Sequence, residues 1–369
     1  MKKRTSYGTH ISESGTDIVV CPAFCDVHVH FREPGRPDKE TILTGCRAAA
    51  AGGYTAVCPM PNLDPAPDSV ATLGVQLDII ERDTFIDVRP YAAITMGRGG
   101  MEPVDIRSLK GLVAGFSDDG SGVQDDAVML RAMETASAEG CIIAAHCEDS
   151  RFGTLPEGEW RQIERDLKLA EKSGCRYHVC HISTRESVEL IRRAKDRGVD
   201  VSCETAPHYI LLCDEDRRDE GRFKMNPPLR TAADRDAILE GLLDGTIDMI
   251  ATDHAPHTAE EKSRGFEGSA FGIVGLETAF PVLYTALVRG GVMSLEKLVA
   301  LMGTAPRRRF GIDPDTEDYA VFDIASPYRI DSGTFLSKGR STPFEGMEVY
   351  GRCLKTVHNG KTVYEAGNL

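Results

Sequence analysis

The run Ile18-Val-Val-Cys-Pro-Ala-Phe-Cys25-Asp26-Val-His28-Val-His30-Phe-Arg32-Glu-Pro-Gly35 joins an apolar strand to two histidines, an arginine and a turn. Residues two apart on a β-strand share a face, so His28 and His30 can hold one cation between them. Arg32 and the Pro34-Gly35 turn follow at once and set a fixed positive charge beside that cation. Taken alone, the pair also reads as a half-exposed strand carrying two histidines. Its weight comes from how the later strands end.

Working outward, Tyr54–Met60 is strand-like and ends at Pro61-Asn62, and Asp87–Thr95 is strand-like again. Gly111–Phe116 runs into Ser117-Asp118-Asp119-Gly120, and Cys141–Ala145 ends at His146. Cys175–Cys180 ends at His181, Val199–Glu204 is a further strand, and Ile247–Thr252 ends at Asp253. Amphipathic segments alternate with these strands. They are Thr41–Ala51, Pro67 to about Arg82, Asp125–Glu139, Pro156–Ser173, Glu186–Arg197, Asp234–Leu243, Leu276–Arg289 and Leu295–Gly303. Ser183 and Glu186 fit a capping box for the fifth of them. About eight strands alternating with helices predict an α/β fold, a (β/α)8 TIM-type barrel. Such barrels carry their working groups at the C-terminal strand ends. A doubly wound nucleotide sheet would want a glycine-rich phosphate loop, and neither G-x-G-x-x-G nor G-x-x-x-x-G-K occurs.

The expected division is a short polar segment at 1–17, a barrel at 18–305, and a small β-rich appendage at 306–369. That appendage is formed mainly by the C-terminal segment, through Tyr319–Ile324, Met347–Val357 and Lys361–Tyr364. The segment Thr258–Gly268, polar and with two glycines, is the expected lid.

Composition narrows the function. The 369 residues are 41% hydrophobic, enough for a large core, and carry a net charge of −14, which argues against nucleic-acid or membrane partners. An anionic substrate must then be met by local cations. Met1-Lys-Lys-Arg4 lacks the apolar stretch of a signal peptide, and no run suits a membrane span. Eleven scattered cysteines, an odd number, predict reduced thiols and a cytoplasmic setting.

His28, His30, Asp119, His146, His181 and Asp253 combine imidazole with carboxylate, which suits zinc or another first-row divalent ion. Six ligands exceed the needs of one ion, so a two-metal site is expected. From the residues alone, Asp118 competes with Asp119 and His178 with His181, although the strand end favours His181. Arg32 suits a carboxylate, or could instead pair with Glu33 or Asp38.

The stretches DVHVHFREPG (26–35), PMPN (59–62), FSDDGSGVQ (116–124), AAHCED (144–149), HVCHISTRES (178–187), KMNPPLR (224–230), ATDHAPH (251–257) and FGIVGLET (271–278) run in one order along the chain. In them the sequence resembles the class I dihydroorotases of the amidohydrolase superfamily. The resemblance implies reversible cyclisation of N-carbamoyl-L-aspartate to L-dihydroorotate, the third step of pyrimidine synthesis, on one or two zinc ions per subunit. It implies that His28 and His30 bind one metal and His146 and His181 the other. Asp119 would bridge them, chosen over Asp118 by family spacing. Asp253 would ligate the first metal and act as general acid and base, with metal-held hydroxide as nucleophile. Substrate contacts would come from His30, Arg32, Asn62, Asn226, His257, Phe271 and Gly272. His208 and His254 are left as structural.

The resemblance leaves open a homo-oligomer and an aspartate carbamoyltransferase partner. The segment before His28 is short for the family, as is the stretch from His146 to His181, and Ser269-Ala270 stands where Ala-Pro is usual. These departures bear on loop closure and oligomer contacts more than on chemistry. The alternatives are another cyclic amidase (a dihydropyrimidinase or allantoinase) and a non-catalytic carbamoyltransferase-binding relative. The amidases usually bridge their metals with a carboxylated lysine on the fourth strand, and Gly111–Phe116 has no lysine.

Overall fold

Short runs of small and β-branched residues make the central strands, and burial on both faces explains why they do not alternate with polar residues. Every residue of Phe24–Val29, Tyr54–Pro59, Ile142–Ala145 and Val201–Thr205 is buried. The computed structural model describes residues 17–313 and 316–367, together with the backbone of Gly8–Ile11.

Parallel pairing joins Phe24–Val29 to Tyr54–Pro59 and on to Asp87–Val88. A second series joins Tyr91–Ala92, Gly115–Phe116, Ile142–Ala145, Arg176–Val179, Val201–Thr205 and Met249–Ile250. The expected strand Asp87–Thr95 is thus parted at Pro90, which has no N–H for the ladder. The ring closes where His254 bridges Val29 in parallel and the His30 amide donates to His254 O at 2.8 Å. The result is a (β/α)8 barrel with helices packed outside.

Caps start the intervening helices. Thr41 accepts from the Thr44 amide, Ser69 from Thr72, Asp125 from Val128 and Thr231 from Asp234. The cap expected at Ser183 falls instead at Thr184, which accepts from the Ser187 amide. Ser183 is drawn away because its hydroxyl is given to Glu159 Oε2. Leu276–Arg289 and Leu295–Gly303 are shorter α-helices, Ala279–Leu283 and Leu295–Val299, each running into a π-helical turn.

The run Ile18–Cys25 is two strands rather than one. Asp17–Pro22 belongs to an antiparallel sheet of five, with Gly8–Ile11, Tyr319–Asp323, Arg352–His358 and Lys361–Glu365. Pro22 lacks an N–H, and at Ala23 the chain crosses over. Ala23 N donates to Asp318 O at 3.1 Å, and Phe24 N to Gly53 O at 2.9 Å, within the barrel. The boundary expected at residue 18 therefore cuts a strand of the small sheet. Gly8–Ile11, within the short polar segment, is also a strand; 1–7 and 12–16 of that segment lie outside the described residues. At the other boundary, helix Ala305–Phe310 carries the chain past the expected edge at 305.

Aromatic packing docks the small sheet on the barrel. Phe280 lies 4.1 Å from Phe322 and 5.4 Å from Phe24, ring centre to ring centre. Gly53, at φ +90°, makes room, since a Cβ there would meet Phe322 at 2.6 Å. Among the described residues no helix is long and apolar enough to cross a membrane.

Candidate metal and substrate site

The strand ends converge at one mouth of the barrel. Two latches set the first histidines. Asp26, fully buried, accepts from the His28 amide at 3.0 Å and from Thr252 through its amide at 3.1 Å and its hydroxyl at 2.6 Å. This ties the strand carrying His28 to the one that ends at Asp253. Glu204, also buried, accepts from His28 Nδ1 at 2.7 Å and from His178 Nε2 at 3.1 Å. A carboxylate only accepts, so the His28 proton is held on Nδ1 and its Nε2 lone pair faces inward.

That inward nitrogen lies 3.3 Å from Asp119 Oδ1 and 3.6 Å from Asp253 Oδ1. His30 Nε2 lies 3.1 Å from Asp253 Oδ1 and 3.5 Å from Asp119 Oδ2. Across the cluster, His181 Nε2 is 3.6 Å from Asp119 Oδ1 and 2.9 Å from His146 Nδ1. Two ligand sets share Asp119: one with His28 and His30, the other with His146 and His181. His28 Nε2 and Asp119 Oδ1 are buried without a hydrogen-bond partner although they face each other. Buried polar atoms are rarely left so. An imidazole lone pair and a carboxylate oxygen aimed at one point fit a divalent cation. The backbone is also bent to the task, since His181 and Asp253 hold positive φ of 32° and 49°. Such values are uncommon for residues other than glycine.

The charges answer one another. Burial pushes the carboxyls of Asp119 and Asp253 up, but the surrounding imidazoles outweigh it and hold both well below the usual carboxylate range. Glu204 is likewise held at about 2, burial being outweighed by His28 and His178. Burial would lower His28, yet Asp119 and Glu204 raise it well above its ordinary value. Uptake of a cation therefore displaces protons.

The competing residues separate cleanly in space. Asp118 Oδ1 accepts from Ile94 N at 2.8 Å and Thr95 N at 3.2 Å, and its other oxygen bonds the Thr95 hydroxyl, so it braces a strand end. His178 is bonded to Ser202 and Glu204 behind the cluster. His254 accepts from Gly275 N at 3.2 Å and contacts Glu40, away from the mouth.

On one side of the cluster the free groups are donors. Arg32 bonds Pro256 O at 3.3 Å and lies 3.5 Å from His257 Nε2. It does not pair with its neighbouring acids, because Glu33 accepts from Ile42 N and Asp38 from Arg36. Burial lowers Arg32 only to about 10, so it stays cationic. Burial, with Arg32 and Lys39 nearby, pulls His257 down to about 3. Its Nδ1 lies 3.1 Å from Lys39 Nζ and 3.3 Å from Glu261 Oε2, and its Nε2 faces Arg32. His30 Nδ1 donates to Asn62 Oδ1 at 2.9 Å, leaving the Asn62 amide group free to donate.

On the other side, Asn226 Nδ2 donates to Glu148 Oε2 at 2.8 Å. Gly272 packs against His257, where a Cβ would meet Ala255 O at 2.6 Å, and Phe271 stands exposed at the rim. The segment Thr258–Gly268 holds two short helices, Ala259–Lys262 and Gly265–Gly268. Lys262 anchors it by donating to Lys224 O at 3.0 Å and Ala270 O at 2.7 Å.

Sequence reasoning overlooked Glu204, Glu148, Asp26 and Lys39. Glu204 had a signal, since it closes an apolar strand as the ligands do. Glu148 lies two residues past His146 in AAHCED.

A family profile described as dihydro-orotase-like matches residues 17–187. The chain is 47% identical to the dihydroorotase of Fusobacterium nucleatum subsp. nucleatum over 370 aligned residues, 94% of this chain and 87% of that one. It is also 47% identical to the dihydroorotase of Bacillus caldolyticus, over 96% of this chain and 91% of the relative. Among solved structures it is similar to the L-hydantoinase of Arthrobacter aurescens, with TM-score 0.87 and 26% identity over 96% of this chain and 87% of that one. A D-hydantoinase from Thermus sp. aligns with TM-score 0.80 and 26% identity, over 94% and 85%.

Proposed function

We infer the chemistry of this site from one premise, that the chain belongs to the dihydroorotase family. It is an enzyme acting on a cyclic amide, and its activity is the reversible interconversion of N-carbamoyl-L-aspartate and L-dihydroorotate. The observation that carries the catalytic reading is the unpartnered pair His28 Nε2 and Asp119 Oδ1, ringed by His30, His146, His181 and Asp253.

His28, His30 and Asp253 would hold one cation and His146 and His181 a second, with Asp119 as the ligand common to both sets. Nitrogen and carboxylate donors suit zinc, two ions per subunit. When bound, the pair supplies Lewis acidity toward the amide carbonyl and lowers the pKa of the attacking water. Asp253 would take the proton of the attacking water as it adds to the carbonyl and deliver it to the ring nitrogen as the C–N bond breaks. In cyclisation the same carboxylate removes the ureido proton. Its pKa makes it a weak base, so its work rests on placement beside the reacting bond. The substrate carboxylate is met by the Arg32 guanidinium, with His257 and the Asn62 amide as its further partners. Asn226 and the backbone at Phe271 and Gly272 face the ring edge, and His30 serves both the metal and the substrate side.

The test is metal analysis joined to a dihydroorotate assay. Purified protein is expected to turn over dihydroorotate and to carry about two zinc ions, as a dinuclear site requires. Asp119→Ala is expected to lose both metal and turnover. Full metal and activity in that variant would contradict the bridging role. The likeness to hydantoinases favours one second reading, a cyclic amidase for uncharged rings. Rates on dihydroorotate, dihydrouracil and allantoin separate the two, and Arg32→Ala should selectively impair the first. A non-catalytic role suits the chain less, because the ligand set is complete. A cytoplasmic setting fits eleven unpaired thiols, and assembly with itself or with an aspartate carbamoyltransferase is read by co-elution.

A further inference from the structure

Glu148 follows His146 by two residues and turns its carboxylate back to the site mouth, where its side chain is 29% exposed. One oxygen, Oε2, meets two groups. Asn226 Nδ2 donates to it at 2.8 Å, and His146 Nε2 lies 3.4 Å away. These two nitrogens are themselves 3.5 Å apart, so the three atoms form a closed triangle. A carboxylate can only accept. The His146 proton is therefore drawn to Nε2, and its lone pair is left on Nδ1, the nitrogen that faces His181 and Asp119. The same carboxylate forces the Asn226 amide to present its NH2 to Glu148. Its carbonyl oxygen then has no competing role and is the atom left for a ligand.

The contrast with Asn62 gives this orientation a consequence. Asn62 spends its carbonyl oxygen on His30 Nδ1 and keeps its NH2 free, and its Nδ2 and Arg98 both come up to Gly120. The two asparagines therefore offer opposite polarity, a donor where a carboxylate must bind and an acceptor where a ureido N–H must bind. A substrate with a carboxylate at one end and N–H groups along its other edge is accepted in one orientation. A reversed substrate would set carboxylate against carbonyl and N–H against guanidinium.

We propose that Glu148 is a positioning residue that fixes the amide orientation of Asn226 and the tautomer of His146, and so couples substrate orientation to the ligand set. This rests on the reading of His146 as a metal ligand and of Asn226 as a substrate contact. Glutamine at 148 keeps the shape but can donate as well as accept, so Asn226 becomes free to flip.

The test is a two-residue cycle on the metal-loaded enzyme, with Glu148→Gln, Asn226→Ala and the double variant. Glu148→Gln is expected to raise KM for dihydroorotate about tenfold, the worth of one substrate hydrogen bond, with kcat changed far less. Because Glu148 acts through Asn226, the double variant should match Asn226→Ala in KM, not multiply the two defects. Chelator competition should also show faster zinc loss from Glu148→Gln, a readout independent of turnover. If Asn226→Ala raises KM but Glu148→Gln leaves it within about twofold, or if the defects multiply, the proposal is overturned while the site reading stands. If Asn226→Ala leaves KM unchanged, or His146→Asn keeps its full metal content, the site reading itself fails and takes the proposal with it. Glu148 is partly solvated, so Glu148→Gln should fold, and an unchanged thermal midpoint checks this.

Discussion

At the scale of single residues, the site is decided by which atom of each side chain carries a proton. Glu204 sets His28, and Asn62 goes with His30. His208 stands apart from this scheme. It is 1% exposed, its Nε2 has no partner, and burial lowers it to about 4 from an ordinary 6.5. The unfolded chain binds this proton below about pH 6.5 and the folded protein only below about 4. Between those values acid favours unfolding, so stability falls as pH is lowered through the window and levels off beneath it. His208→Gln should flatten that part of the slope. Urea midpoints of chelator-treated protein across the window check this, and an identical slope in parent and variant would refute it. The clustered histidines were legible as residue types at strand ends. Their proton positions were not, because each is set by a partner from a distant part of the chain.

At the scale of elements, the Asp26 latch joins the first and last strands of the barrel and so fixes the distance between His28 and Asp253. Asp26→Ala strands the His28 amide, the Thr252 amide and the Thr252 hydroxyl in the interior, and should cost about 2–4 kcal/mol. Denaturant unfolding measures it, and a loss under about 0.5 kcal/mol would mean that water or Thr252 replaces the latch. Metal content of the same variant should fall as well, since the two ligand-bearing strand ends are no longer tied. Strands and helices were largely readable from apolar runs and caps. The misreadings at Ile18–Cys25 and Asp87–Thr95 both fall on prolines, Pro22 and Pro90. An apolar run continues through such a residue although the hydrogen-bond ladder cannot.

At the scale of the whole molecule, the C-terminal segment and the barrel are clasped by two acids, the buried Glu40 and the half-buried Glu277. Glu40 accepts from Lys338 N at 3.1 Å, and Glu277 from Leu336 N at 2.9 Å. The clasped segment continues to Gly339, which packs on Pro256 and Val274 just behind His257, so the appendage backs the substrate side of the site. Bound metal would act on the same whole. It would meet its ligands only on the assembled strand ends, so its affinity would add to folding stability. Metal-free protein should unfold at a lower temperature, and zinc should restore the midpoint. At a thousandfold excess over the dissociation constant the gain is about 4 kcal/mol. A midpoint indifferent to chelation would show that the cluster is not a cation site.

The sequence alone determined the periodicity and which histidines and acids close the strands, in what order, because burial and strand-end placement are written locally in apolar runs. The tertiary structure decided which of Asp118 and Asp119, and of His178 and His181, faces the cluster. It also decided that Asp17–Pro22 leaves the barrel and that Glu204 and Glu148 orient the histidines. Neighbouring residues look alike to a local reading. What separates them is the direction in which each side chain leaves its strand and the remote partner it meets there.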